Sequence, residues 1–410
     1  MQKFANKISF TQNIVASLYD NYTKSAFCGA IRVLIKDGLL DEEEKRIFSI
    51  ITDKLKTIPD FLKKSYIIYL SNGILFEKDI NKINLVKKQL IFELSLQLLS
   101  YGLKEKIEYR NEDENLFSLC LNQSINIKFD SIKKEDENYI FNDNNKEVLR
   151  LNRNIQSSIT KDICFLGQDK NPFNVDNDHP DEEFVAYDLK GIPKEEWVRQ
   201  FRDAYGIIKR KTPELYSEIY YFLDAIVPHG YEKERQLSSS YSKSPGILYL
   251  SYTDTDIKQA EALIHEVHHT IFNIIEWKYK LYNNDMSLKY YSAYRPDARH
   301  LRGCFLGLHA FVAVQNFYRK LAKNGNNLEF IKTFVSLYLK NEKVISMLEK
   351  YADFIVHGSL LFEDIKARYY SDMGFFKGLA KKYSSVYQQV LEDVEAHLEE
   401  AKNRNKILLY

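Results

Sequence analysis

The sequence predicts a mainly α protein with a small β-containing middle part, an α+β chain. Three observations predict it. Gly 15 and Pro 8 are few for 410 residues, which favours long helices over a turn-dense β fold. Apolar residues recur at helical spacing from about residue 8 to 103, and again from 257 onward. Residues 104–195 differ, with short apolar runs alternating with Asn/Asp-rich turns. On this pattern the chain divides into three parts. An N-terminal helical region covers 1–105, and a mixed α+β region covers 106–255. A helical region, 256–410, carries the candidate metal residues.

The elements follow in order. Ile31, Leu34, Ile35, Leu39 and Leu40 form an apolar face that stops at the acidic run Asp41 to Glu44. A long amphipathic helix is expected around Ile83 to Leu103. In the middle part Ile125 to Phe129, Val148 to Leu151 and Phe184 to Tyr187 read as strands. The acidic stretch Asp176 to Glu183 reads as solvated loop, because it lacks the ligand spacing and central glycine of an EF-hand. Helix returns from Glu195 through Leu223. Ile226 to Gly230, a serine-rich turn at Ser238 to Ser242 and a buried strand at Gly246 to Tyr252 come next. Thr253 to Asp256 offer N-cap residues for a helix from about Ile257 to Tyr282. A second strong helix is expected over 300–323, and helix continues from there to the C-terminus.

Bulk properties exclude several classes. The formal net charge is +1, so nothing global favours nucleic acid or an anionic membrane as partner. No run approaches the ~18 apolar residues of a membrane span. The first residues lack the basic, apolar and small-residue segments of a signal peptide. Cys28, Cys120, Cys164 and Cys304 are scattered with no C-x-x-C pair, which fits a reducing cytoplasm better than a disulfide framework. The sequence leaves oligomeric state open.

The chemistry concentrates at His265-Glu266-Val267-His268-His269, an H-E-x-x-H motif. On a helix His265 and His269 lie one turn apart, about 40° around the axis, which suits a divalent transition metal. Glu266 points to a neighbouring sector, where it can meet a metal-bound oxygen. Leu263, Ile264, Val267, Ile271, Ile274 and Ile275 make the core-facing stripe. His268 reads as a supporting or core residue. A third ligand is needed. The metzincin continuation requires glycine at Phe272 and histidine at Ile275, so that class is excluded. Glu276 lies roughly 10 Å along the axis, too far to share the ion.

The remaining candidates are His309 and His300. His309 sits at the edge of the stripe Leu301, Phe305, Leu308 and Val312, opposite a small face of Gly303, Gly307, Ala310 and Val314. A lone histidine so placed is ordinarily a hydrogen-bonded core residue, but two committed ligands nearby favour His309 as the third. His300, beside Arg299 and Arg302, reads as exposed or as part of an anion site. Arg295, Arg299 and Arg302 fall within eight residues and suggest recognition of a carboxylate or phosphate. The competing reading is a solvated basic helix start, with Asp297 as an internal partner.

The runs QAEALIHEVHH (Gln259 to His269) and YYSAYRPDARHLRGCFLGLHAFVAVQNFY (Tyr290 to Tyr318), with the Ser238–Ser251 lead-in, resemble the HExxH-motif proteins found beside peptide natural-product (RiPP) gene clusters. The resemblance covers about residues 225–320. It departs from the family at Ala293-Tyr294, where the family has Pro-Trp, and at Gly303, where it has proline. That family is recognised as iron(II)- and 2-oxoglutarate-dependent peptide β-hydroxylases. The resemblance implies a gluzincin-like helix arrangement around the metal, with Fe(II) on His265, His269 and His309. It implies 2-oxoglutarate as cosubstrate, its distal carboxylate on Arg299 first, then Arg295, with Arg302 alongside. The substrate implied is a ribosomal precursor peptide, with residues 1–105 expected to help hold it. Glu266 would orient a ligand or bound oxygen. Two alternatives stand beside this. One is a zinc metallopeptidase with Glu266 as general base. The other is a non-catalytic peptide-binding protein that retains the fold.

Overall fold

The structure is a computed structural model. It describes residues 2–54, 64–112, 115–152, 158–160, 163–166, 188–231, 238–323 and 327–404. The expected strand at Phe184 to Tyr187 and the acidic stretch Asp176 to Glu183 lie outside the described residues. The described chain is mainly helical with small sheets. No described helix is long and apolar enough to cross a membrane.

Four helices come first: α1 (Gln2–Lys36), α2 (Glu42–Lys54), α3 (Lys64–Phe76) and α4 (Ile80–Ser100). The strands β1 (Lys106–Asn111), β2 (Leu116–Ser118), β3 (Gln123–Ile125), β4 (Phe129–Glu135), β5 (Asn138–Asp143), β6 (Lys146–Asn152) and β7 (Cys164–Phe165) follow. Then come α5 (Lys194–Lys211), α6 (Pro213–Phe222), β8 (Ala225–Tyr231), β9 (Ser238–Ser240) and β10 (Ile247–Tyr252). The last stretch holds α7 (Asp256–Lys278), β11 (Lys289–Tyr290), β12 (Arg299–His300), α8 (Leu301–Lys323), α9 (Leu328–Tyr351), α10 (Val356–Tyr370), α11 (Met373–Lys382) and α12 (Ser384–Arg404).

Two compact units divide the chain. One comprises Ile14–Asp203 and Tyr220–Thr255, and it holds every strand of the two four-stranded sheets. One sheet is antiparallel in the order β1-β4-β5-β6; the other has the order β7-β8-β10-β9. In the second, β10 runs parallel to β8 and antiparallel to β9. Five of the six residues of β10 are buried, so its sequence is a continuous apolar run rather than an alternation. α4 is the core helix here. Leu90, Ile91, Phe92, Leu94, Leu96 and Leu98 are fully buried around its circumference, so it is not the one-faced helix the periodicity suggested. It also ends at Ser100, before Leu103. Gly102 takes φ +66, and Leu103 N donates to Leu98 O at 2.9 Å, which closes the helix in a glycine cap.

Four further boundaries differ from expectation for local reasons. Residues 126–128 turn the corner between β3 and β4, and Asn111 Nδ2 holds the Ile127 carbonyl at 2.7 Å. The helix expected over 195–223 breaks before Pro213, which has no N–H to continue it and so starts α6 instead. Ser238–Ser240 is a strand, not a turn, because it pairs with Leu248 to Leu250 of β10. α7 stops at Lys278, and the next residues leave the helix axis to pair with the segment after α9: Tyr282 bridges Phe354, and Asn283 N donates to Asp353 O.

The second unit comprises Met1–Asn13, Ala204–Ile219 and Asp256–Tyr410. Within it α7 packs on α8, α8 on α9, and α9 on α12. Gly358 allows α10 to approach the 281 carbonyl, since a Cβ there would lie 1.8 Å from Leu281 O.

Glu93 is the polar pin of the first unit. It is fully buried on α4 and accepts bonds from Ser118 Oγ, Leu119 N, Cys120 N and Gln97 Nε2, all between 2.9 and 3.1 Å. Burial pushes its carboxyl up, against those bonds. The folded state therefore holds the proton more tightly than the unfolded chain. Stability falls as pH rises from the unfolded carboxylate range through the folded value. Glu93→Gln is expected to remove that part of the pH dependence in urea unfolding. Glu93→Ala, which strands four donors, is expected to lower stability by ~3 kcal/mol. An unchanged midpoint for Glu93→Ala would contradict the assignment.

Candidate metal centre

α7 builds the site from a simple repeat. Leu263, Ile264, Val267, Ile271, Ile274 and Ile275 are buried and fix the helix rotation. That rotation places His265 and His269 together, with ring centroids 4.3 Å apart and planes at 75°. Glu266 is 2% exposed. One ligand atom from each of His265, Glu266 and His269 lies within 4.8 Å of the others. Among the described residues this is the one group of three or more such side chains that could hold an ion.

The donor set fits a divalent metal. Burial holds the His265 imidazole down at about 4, with His268 adding to the effect. Burial also holds His269 well below its ordinary range, helped by His265 and His309. Both rings are neutral near pH 7, so each has a lone pair to give. His269 Nδ1 is buried with no hydrogen-bond partner among the described residues. An orphaned buried polar atom costs about 1–3 kcal/mol, which a ligand would offset.

His309 comes from α8, buried, with its ring 5.3 Å from that of His268 and 5.9 Å from that of Phe272. Its Nδ1 donates to the His268 carbonyl at 3.0 Å, so the free lone pair is on Nε2. Burial, then His268 and Arg368, keep this ring neutral as well. His309 is not a member of the three-residue group. The bond at Nδ1 is the one that metal-binding histidines ordinarily make with their other nitrogen.

His268 is almost wholly buried and is not a member of that group. Its Nδ1 donates to Ile264 O at 2.8 Å, and its Nε2 stands 3.2 Å from Glu218 Oε2 on α6. Glu218 lies 3.4 Å from Arg368 Nη2 on α10. Burial pushes the Glu218 carboxyl up, but Arg368 and then His268 outweigh it and hold it at about 2. Neither Glu218 nor Arg368 was visible in the sequence, where they lie 50 and 100 residues from His268 with no motif around them.

The arginine block is a hairpin. β11 pairs with β12 through Lys289↔His300 and Tyr290↔Arg299, so residues 291–298 form its loop and lead into α8. Asp297 lies 2.8 Å from Arg299 Nε and 3.4 Å from Arg295 Nε. Arg302 is engaged elsewhere: Nε donates to Glu276 Oε2 at 2.6 Å, and Nη2 to Asn273 Oδ1 at 2.7 Å. His300 is exposed. The loop reaches the metal helix through aromatic contacts. Tyr294 packs against Phe311 at 4.2 Å, and Phe311 against His265 at 4.6 Å. Gly307 makes room, since a Cβ there would lie 3.3 Å from the Tyr294 ring. The Tyr294 hydroxyl donates to Asn341, which donates to Gln315, which donates to Asp372. Tyr318 adds a tie between α7 and α8, donating to Glu261 at 2.7 Å one turn before His265.

The chain matches no family model and no curated protein.

Removing a ligand is expected to act on metal affinity and little on the fold. His265→Ala and His269→Ala should each weaken Zn(II) or Co(II) binding by at least a hundredfold in titration calorimetry. His309→Ala should weaken it by tenfold or more. Unchanged affinity in His265→Ala and His269→Ala would refute the centre.

Proposed function

We propose that this protein is an iron(II)- and 2-oxoglutarate-dependent oxygenase that hydroxylates the β-carbon of a residue in a ribosomal precursor peptide. One observation carries the reading. The helical unit contains both a His265–Glu266–His269 group, its glutamate buried and its histidines half-buried, and an arginine pair, Arg295 and Arg299, gathered on one aspartate. A diacid cosubstrate has a use for such arginines, and peptide hydrolysis does not require them.

In this reading His265, His269 and His309 hold the metal, each with a neutral ring nitrogen. Bound Fe(II) with 2-oxoglutarate and dioxygen supplies the oxidising power for C–H hydroxylation, the keto acid leaving as succinate and carbon dioxide. Arg299 binds the distal carboxylate of 2-oxoglutarate, with Arg295 as the second choice. Its side chain is 18% exposed, so the exchange of Asp297 for another carboxylate happens at the edge of solvent. Arg302, already held by Glu276 and Asn273, fixes the start of α8 to α7 rather than taking the diacid. Glu266 would orient a metal ligand or the group held beside it. The same proposal includes a gluzincin-like arrangement of the metal helices, a cytoplasmic setting and a peptide-holding role for residues 1–105.

A second reading, a zinc metallopeptidase, is favoured by one fact: Glu266 belongs to the three-residue group. There it would be the general base toward a metal-bound water.

The two readings separate in one cuvette. Protein purified without oxygen, given Fe(II) and 2-oxoglutarate, is expected to develop the visible charge-transfer band of a chelated keto acid. Arg299→Ala should weaken 2-oxoglutarate binding about tenfold to a hundredfold, the worth of a charge-assisted hydrogen bond, and leave Fe(II) affinity intact. Absence of the band, with zinc-dependent peptide cleavage abolished by Glu266→Gln, would establish the peptidase instead.

A further inference from the structure

We propose that Glu218, held by Arg368, is a positioning residue for the metal centre: it fixes His268 and, through His268, the ring of His309. This rests on the metal-centre reading given above, with His309 as a ligand, and not on which reaction the metal serves.

Three elements meet at His268. Its own helix, α7, supplies the Ile264 carbonyl, 2.8 Å from Nδ1. A carbonyl only accepts, so Nδ1 carries the hydrogen. Nε2 is left facing Glu218 Oε2 at 3.2 Å on α6. Arg368, on α10, closes the other side of Glu218 at 3.4 Å. Glu218 is 8% exposed in its side chain and His268 1%, so their contact is closed to water. The His268 ring is therefore held at Nδ1 by the Ile264 carbonyl and lies against Glu218 on its Nε2 side.

His309 depends on that residue twice. Its ring packs beside the His268 ring at 5.3 Å, and its Nδ1 donates to the His268 carbonyl at 3.0 Å. The bond to the His268 backbone carbonyl leaves Nε2 of His309 free, and the His268 ring is the side-chain surface beside which the His309 ring sits. Loosening His268 frees the ring against which His309 is set. Supporting groups of this kind typically change metal affinity 10- to 100-fold when removed.

The test uses Co(II), whose visible spectrum reports ligand number and geometry without turnover. Glu218→Gln in the full-length protein is expected to weaken Co(II) binding 10- to 100-fold and to alter the spectrum. Helical circular dichroism of the metal-free protein should stay unchanged. Arg368→Met should weaken binding in the same direction, and Arg368→Lys should restore it. Should Glu218→Gln not fold, the Arg368 pair carries the test alone. The decisive comparison is in the His309→Ala background. There Glu218→Gln should add no further loss, because its effect runs through His309. Wild-type affinity and spectrum in Glu218→Gln, or losses that simply add to those of His309→Ala, would overturn the proposal. A wild-type protein that binds no Co(II) would overturn both this and the metal reading. Wild-type binding with an insensitive Glu218→Gln would overturn this alone.

Discussion

Burial of neutral imidazoles is the constraint on which the second unit depends. His265, His269 and His309 sit where charge is strongly disfavoured, and each is held below its ordinary range chiefly by desolvation. A neutral imidazole is a good metal ligand and a poor ion-pair partner, so the same burial that disfavours protonation favours coordination. The surrounding helices have to supply partners for the nitrogens that face the protein. They do so with the His268 carbonyl for His309 and the Ile264 carbonyl for His268. His269 Nδ1 has none, and that imbalance points toward an ion.

The arginine hairpin is joined to this centre by packing rather than by charge. Tyr294 lies between Gly307 and Phe311, and Phe311 lies against His265. The Tyr294 hydroxyl ends a buried chain through Asn341 and Gln315 to Asp372, which Arg319 meets at 2.9 Å. A loop pinned at its middle by such a chain can hold Arg299 and Arg295 in fixed relation to α7.

What the sequence revealed was local. The strand at Ile247–Tyr252 and the helices Asp256–Lys278 and Leu301–Lys323 stand within a few residues of their expected bounds, because continuous apolar runs and 3.6-residue stripes are properties of neighbours in the chain. The convergence of His265, Glu266 and His269 was legible for the same reason. The ends of elements were less so where a distant segment decides them, as at Lys278, where pairing with residues 353–354 draws the chain away. Glu218, Arg368 and the Glu276–Arg302 pair were illegible because the contacts that give them meaning join separate helices. Asp297, two residues from both Arg295 and Arg299 in the chain, lies against both of them. That Arg302 belongs to Glu276 and Asn273 required the fold.

The central claim is a metal held by His265, His269 and His309, with Glu266 alongside. Diffraction from cobalt-loaded crystals, recorded on both sides of the cobalt absorption edge, tests it most directly. One strong anomalous peak bonded to a ring nitrogen of each of the three histidines is expected. A peak bonded to the Glu266 carboxylate with His309 turned away, or no ordered peak on α7, would contradict it.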